Sequence, residues 1–382
     1  MKLLLYSHFF TPSVGGVETS ILSLARGLCN LRHDNGAHEF EVTLVTQTAS
    51  QYFDDSTLPF VVVRQPKLLR LSRLIRTADV IHVAGPAILP LLLAKAARKP
   101  VVIEHHGYQA ICPNGLLVHI PDRAICPGYF QARNYSKCLQ CRASEIGKPK
   151  ALVDILTMVP RTLLTRKATS NVAISHHVLE RHAIPGMRTI YYGVEDLHGE
   201  VKLPAKLTFA FVGRFVKEKG ISVLLEASRL LEREGLEFQV QLIGDGPQRS
   251  ELERIIADKQ LKAVSITGYL TGSDLEDALR DVCAVVMPSI WEETAGLSAM
   301  EHMMRGKVVL ASQIGGLGEI VGDSGMLFPM GDAVALAACM RTLLQDNSLI
   351  VSIGDRARNR AHRLFRLDRM IEDHARLYTS IC

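Results

Sequence analysis

Residues 285–309 read VVMPSIWEETAGLSAMEHMMRGKVV. Val285 to Met287 continue an apolar, β-prone run that stops at Pro288-Ser289, the pattern of a buried strand ended by a breaker. Leu297 to Arg305 predict a short helix closed by Gly306. The loop between them carries Glu293, and Glu301 follows eight positions later, inside the helix. Eight helical residues rise roughly 12 Å, so the two carboxylates suit opposite ends of an elongated ligand better than one small group. The first helical amides, at Gly296 and Leu297, are free donors for an anion. Acid, amides and acid in that order fit a sugar, a diphosphate and a ribose. Two solvated acids beside an ordinary helix start fit the same spacing.

Upstream, Leu207–Val212 predict a strand, and Gly213-Arg214-Phe-Val-Lys-Glu-Lys219-Gly220 form a glycine turn leading into a helix over Ile221–Arg233. A turn carrying Arg and Lys suits a diphosphate, because cations meet its charge and Arg binds two oxygens at once. Two solvated surface cations would look the same. No P-loop pattern is present. Val240–Ile243 with Gly244-Asp-Gly246 form the next strand and turn, where the glycines serve the turn. Strand 264–266, helix 274–280, strand 308–311, the glycine-rich loop at Gly315-Gly316 and helix 333–344 complete an alternating series.

The N-terminal half has the same grammar. Leu3–Ser7 predict a strand, Thr11 to Gly16 a tight turn, and Val17, Ile21, Leu24, Ala25 and Leu28 one face of a helix. Gly15 and Gly16 let the backbone approach a phosphate or sugar at a positive helix end, or serve chain reversal alone. The dinucleotide pattern G-x-G-x-x-G is absent, which removes the main support for a nicotinamide cofactor. Strands near 41–46, 60–64, 80–83 and 101–104 alternate with helices. Such alternation predicts a parallel sheet with ligands beyond its carboxyl ends. His105-His106-Gly107 stands at one such end, where an imidazole is either a ligand contact or a core residue. Arg64–Arg76 and Lys150–Lys167 are basic, apolar-rich helical stretches, suited to an anionic membrane or to packing with a solvated basic face. Ser175 is an N-cap for the helix after strand 171–174. Asp196–Ala205 reads as a linker.

Four of the eight cysteines, Cys112, Cys126, Cys138 and Cys141, fall in one segment rich in Pro, Gly and Asn. The closing C-x-x-C is a chelate pair, and four thiolates suit a structural tetrahedral zinc with no open position for catalysis. A disulfide or iron–sulfur arrangement, or unligated thiols, also fit. With 382 residues the chain divides into two domains. Its 47% hydrophobic and 22% charged residues describe a globular protein, and a net charge of +5 does not indicate a nucleic-acid partner. The apolar run at Pro86–Ala94 is too short to span a bilayer. The opening residues are too short for a signal-peptide core. The expected location is the cytoplasm, with peripheral contact at the inner face of the plasma membrane.

Taken together, Pro288-Ser289, Glu293 and Glu301 resemble the signature of retaining family-4 glycosyltransferases of the GT-B fold. Gly15-Gly16-x-Glu18, Arg214 with Lys219, and Gly315-Gly316 resemble further motifs of that family. Ala295 stands where the family often has an aromatic, His302 where it has a small residue, and Tyr192 where it has Asn. The resemblance implies an α/β protein of two Rossmann-like, doubly wound domains facing a central cleft. It implies an acceptor-binding domain over 1–195 with a Cys-rich insert at 107–148, a nucleotide-sugar domain over 206–364, and a C-terminal helix over 365–382 returning to the first. It assigns Arg214 and Lys219 to the donor diphosphate, Glu301 to the ribose and Glu293 to the transferred sugar. His106 is placed near that sugar, with His105 as the alternative, and Gly15 and Gly16 near the phosphates and acceptor. Many relatives share the pattern running from His106-Gly107-Tyr108 through Cys141. The implied donor is a UDP- or GDP-sugar, the acceptor a glycan or lipid-linked chain, and no catalytic metal is obligatory. A GT-B-type epimerase and a non-catalytic sugar-nucleotide-binding scaffold are the alternatives.

Overall fold

The computed structural model describes residues 1–13, 15–33, 36–50, 53–197 and 207–382. Val14 of the expected first turn, and 198–205 of the expected linker, lie outside them. The chain divides into two compact units, Met1–Gly193 with Leu367–Cys382, and Val194–Arg366.

The first unit runs β1 (Lys2–Ser7), α1 (Gly16–Asn30), β2 (Glu41–Thr46), β3 (Val61–Arg64), α2 (Leu68–Thr77), β4 (Val80–Ala84), α3 (Ile88–Ala96) and β5 (Val101–His105). Two short strands follow, β6 (Val118–His119) and β7 (Ala124–Ile125), then α4 (Tyr135–Ile146), α5 (Lys148–Arg166), β8 (Ser170–Ala173), α6 (His176–His182) and β9 (Arg188–Thr189). Its main sheet has the order β3-β2-β1-β4-β5-β8-β9, paired in parallel throughout. Strands buried on both faces need nearly unbroken apolar runs, and β1, β4 and β5 supply them. The charged and imidazole groups inside two of those runs, His82 and Glu104, are therefore conspicuous. Ser175 caps α6 as expected, its Oγ accepting from the Val178 amide at 3.1 Å.

The second unit runs β10 (Thr208–Val212), α7 (Ile221–Arg233), β11 (Gln239–Ile243), α8 (Arg249–Asp258), β12 (Val264–Gly268), α9 (Gly272–Arg280), β13 (Val282–Met287) and α10 (Leu297–Met304). It continues with β14 (Val308–Ser312), α11 (Gly315–Val321), β15 (Met326–Phe328), α12 (Ala333–Gln345) and α13 (Ser348–Leu364). The sheet order is β12-β11-β10-β13-β14-β15, again parallel. The order reverses between β10 and β13, so the loops after those strands flank the switch point where such sheets take ligands. Phe209, Phe211, Leu224, Leu242 and Val286 anchor its core, each burial contributing about 1.5–3 kcal/mol.

The unit boundaries differ from the sequence expectation by a few residues. Val194 joins the second unit because its amide donates to the Phe365 carbonyl at 2.8 Å and it bridges to Arg366. Asp196 pairs there with Arg358 at 3.1 Å. Phe365 closes α13, and the returning helix α14 is Leu367–Ile381, burying Met370, His374, Leu377 and Tyr378 in the first unit. The basic stretch 64–76 is not one helix. Arg64 ends β3 in an ion pair with Asp55, and Gln65 turns the chain at positive φ before α2 begins at Leu68. Segment 107–148, expected to hold little order of its own, contains β6, β7 and α4.

On α10, His302 is 2% exposed and neither ring nitrogen has a hydrogen-bond partner. Burial, then Arg305 and Lys307, push its imidazole down to about 3 from the ordinary 6.5. The unfolded ring takes up a proton that the folded ring refuses, so its stabilising effect is complete above pH 6.5 and lost as the pH falls below it. From pH 7 to pH 5 the loss is about 2 kcal/mol from this residue. Urea unfolding followed across that range measures it, and His302→Leu should flatten the slope by about one proton.

Candidate active site

In the second unit, three loops at the carboxyl ends of parallel strands meet on Glu293. The loop after β10 supplies Lys219, whose Nζ lies 2.6 Å from Glu293 Oε1. The loop after β13 supplies Ser289, whose Oγ donates to the same oxygen at 2.7 Å. The segment after β14 supplies the Gly316 amide, in the first turn of α11, which donates to the Glu293 carbonyl at 2.7 Å. Glu293 is 6% exposed. Burial disfavours its charge, but Lys219 outweighs that, with Ser289 and Trp291 assisting, and the carboxyl sits below its usual range.

Two glycines permit this convergence. Gly220 has φ +64, and a Cβ there would meet the Pro288 carbonyl oxygen at 2.0 Å. Gly315 has φ +56, and its Cβ would meet the Glu293 carbonyl oxygen at 2.5 Å. The Ile290 amide also donates to the Glu218 carbonyl at 2.9 Å, tying the first two loops backbone to backbone.

Arg214 stands exposed in the loop after β10. Gly296, at φ +82, is the N-cap of α10 and Leu297 its first residue, as expected. Only Leu297–Glu301 of the stretch between the two acids is helical, a rise of about 6 Å, so the longer separation read from sequence does not follow. Glu301 is half-buried, and burial raises its carboxyl, with Arg305 opposing and Glu276 adding. Ala295 is buried.

In the first unit, Gly15 is the N-cap of α1 and Gly16 its first residue; the Glu18 side chain folds back so that a Cβ on Gly15 would meet its Oε2 at 2.5 Å. The two histidines at the end of β5 have separate surroundings. His105 is in the core, with Nε2 2.9 Å from Asn171 Oδ1, and burial together with His182 lowers it to about 3. His106 has Nδ1 2.6 Å from the Tyr192 hydroxyl and Nε2 3.4 Å from Glu104 Oε2. Burial lowers it to about 4 despite Glu104, so at neutral pH it is an uncharged imidazole.

Glu104 was missed by sequence reasoning, and Tyr192 was noted only as standing where the family has Asn. An acid within the apolar run Val101-Val-Ile-Glu104, and a tyrosine at the turn before Gly193, were the available signals. Tyr192 is buried, and burial followed by Glu104 and Glu18 holds its hydroxyl protonated.

Cys112, Cys126, Cys138 and Cys141 are all buried and free. Asn114 links two of them: Cys112 Sγ donates to its Oδ1 at 3.0 Å, and its Nδ2 lies 3.5 Å from Cys141 Sγ. The Ile120 amide donates to Cys141 Sγ at 3.3 Å. Burial, then the other three thiols, push Cys138 up to about 12. Among the described residues no three of these sulfurs lie within 4.8 Å of one another; His82, Glu104 and His374 do form a group that tight.

Residues 206–346 match the family described as glycosyl transferases group 1. Sulfoquinovosyl transferase SQD2 of Arabidopsis thaliana is 28% identical over 296 residues, 73% of this chain and 52% of that protein. O-antigen chain mannosyltransferase C of Escherichia coli is 31% identical over 177 residues, 45% of this chain and 46% of that protein. The chain thus spans about half the length of these curated relatives. The crystal structure of Anabaena HepE with UDP aligns over 100% of both chains with a TM-score of 0.74 at 17% identity, and its UDP-glucose complex with a TM-score of 0.73. The fold is that of the GT-B glycosyltransferases, built from two Rossmann-like domains.

Proposed function

We propose that this chain is a retaining glycosyltransferase that moves a hexose from a UDP- or GDP-sugar to a glycan or lipid-linked acceptor. The observation that carries the reading is Glu293, held by Lys219 and Ser289 at the switch point of the second sheet. A nucleotide-diphospho-sugar needs cations for its leaving diphosphate, and Arg214 and Lys219 occupy one loop there. Helix amides at Gly296 and Leu297 add a positive helix end. Charge that grows on the departing diphosphate is stabilised by groups already in place, which makes a catalytic metal unnecessary for that task. Glu293 accepts from sugar hydroxyls and Glu301 from the ribose, fixing the anomeric carbon. In the same reading His106 contacts the sugar as a neutral imidazole, and Gly15 and Gly16 admit the phosphates and acceptor. HepE, solved with UDP and UDP-glucose, supports the donor class. Retention follows the family resemblance.

Peripheral membrane contact belongs to this reading. On α5, Leu152, Leu156, Val159 and Leu163 are exposed at spacings that keep them on one face. Leu89 and Leu92 on α3, and Leu68 and Leu69 on α2, are exposed as well. The three helices are successive neighbours, α2 beside α3 and α3 beside α5. Lys67, Arg70, Arg73, Lys148, Lys150, Arg166 and Lys167 are exposed along the same helices. Apolar tips with basic flanks suit the interface of an anionic bilayer. Among the described residues no helix is long and apolar enough to cross one. Cys112, Cys126, Cys138 and Cys141 are read as structural zinc ligands, a reading that requires the sulfurs to draw closer together around the ion than they stand here.

Three measurements test this. Mass spectrometry over a panel of nucleotide sugars should find released nucleoside diphosphate, with Arg214→Ala and Lys219→Ala each losing about 10²–10³ in kcat. A pure binder would release none. Sedimentation with phosphatidylserine vesicles should retain the protein, and Leu156→Ser with Leu163→Ser should release it; equal binding to neutral vesicles counts against the membrane surface. Metal analysis should find zinc that Cys138→Ser loses, and an unchanged content rejects the thiol site.

A further inference from the structure

The first unit holds a second constellation that the glycosyltransferase reading does not use. His82 on β4, Glu104 on β5 and His374 on α14 are buried side by side, each at most 1% exposed. Glu104 Oε2 lies 3.3 Å from His82 Nε2 and 3.4 Å from His106 Nε2, and Glu104 Oε1 lies 3.5 Å from His374 Nε2. All three Nε2 atoms and Glu104 Oε2 lack a hydrogen-bond partner, so the contacts have ionic distances without the directionality of hydrogen bonds.

The opposite ring nitrogens are engaged. His374 Nδ1 lies 2.8 Å from the Met370 carbonyl oxygen. A carbonyl only accepts, so Nδ1 carries the proton, and in the neutral ring Nε2 presents a lone pair to the Glu104 carboxylate. His82 Nδ1 meets the Tyr378 hydroxyl at 2.8 Å, and His106 Nδ1 meets the Tyr192 hydroxyl at 2.6 Å. The His374 lone pair facing a carboxylate in a dry core is repelled unless something positive lies between them. One divalent cation there would meet His374, Glu104 and His82 together, since their donor atoms all lie within 4.8 Å of one another.

The spacing also fits. Metal–nitrogen and metal–oxygen bonds of about 2.0–2.1 Å at tetrahedral angles set donors about 3.3–3.4 Å apart, close to the 3.3 Å and 3.5 Å from Glu104 to His82 and His374. A hydrogen bond donated by the far ring N–H to a backbone carbonyl, as His374 makes to Met370, is the usual outer support of metal-bound histidine. Imidazoles with a carboxylate are ligands suited to zinc.

We propose that His82, Glu104 and His374 form a structural Zn²⁺ site, with His106 the adjacent donor on the same carboxylate. The site is closed by protein on every side. Its consequence is structural: the ion fastens α14, through His374, to the centre of the first unit's sheet, through His82 and Glu104. The proposal does not rest on the transferase reading.

The test uses the full chain carrying Cys138→Ser and Cys141→Ser, so that thiol-bound metal is removed from the count. Loaded with Zn²⁺ and dialysed, it should retain one equivalent, and adding His374→Gln should abolish that equivalent. Co²⁺ in place of zinc should give d–d absorption without thiolate charge transfer. If the cysteine variants fold poorly, the wild-type chain decides: its zinc content should exceed that of His374→Gln by one equivalent. If His374→Gln also folds poorly, the wild-type cobalt spectrum and the rise in Tm on adding Zn²⁺ to chelator-stripped protein decide. Equal metal content in folded wild-type and His374→Gln proteins overturns the proposal. So does a cobalt spectrum lacking nitrogen- and oxygen-ligated absorption together with an unchanged Tm. Either result leaves a protonated histidine as the counter-charge of Glu104.

Discussion

A buried carboxylate without a counter-charge costs several kcal/mol, so Glu293 makes the second unit depend on Lys219. Their contact at 2.6 Å joins two loops that are 74 residues apart in the chain. Ser289 and the Gly316 amide then hold the same residue from the remaining sides. The loop geometry follows from this demand. Gly220 and Gly315 are glycine because backbone from a neighbouring loop occupies the space of a side chain. A substrate anion entering here would meet Lys219 already oriented, at no further cost in side-chain ordering.

The first unit handles a buried acid differently. Among the described residues, the ion-pair partners of Glu104 are imidazoles from β4, the β5 end and α14, with no lysine or arginine. Burial opposes the charge, and with His106 neutral no fixed cation among the described residues offsets it. His106 thus stands between two roles. Its neighbour Tyr192 fixes one ring nitrogen, Glu104 faces the other, and any sugar contact would be made by a ring whose orientation is set from inside the protein.

The fold was legible because parallel strands announce themselves. Runs such as 207–212 and 282–287 are apolar but for Thr208, and each is followed by a glycine-bearing turn and a helix. The Lys219 and Glu293 assignments came from motif spacing, and the structure puts these two side chains in contact. What could not be read was three-dimensional. Nothing near His82 in sequence foretells His374, 292 positions later by subtraction of their numbers, because the pairing exists only once α14 has docked. The ~12 Å estimate for Glu293 and Glu301 assumed helix throughout, whereas the helix begins only at Leu297. The order in segment 107–148 was underestimated because Tyr108 and Leu117, buried to 1% or less, were not recognised as its small core.

The docking of α14 has a bearing on how the polypeptide is made. His374 and Tyr378 complete the interior around β4, yet they are translated only after the entire Val194–Arg366 unit. The second unit is contiguous and can fold as soon as it emerges from the ribosome. The first must wait with its sheet incompletely covered, exposing His82 and Glu104 to water during synthesis. The unit begun earlier is therefore finished later, and chaperone dependence during synthesis should fall on the N-terminal half.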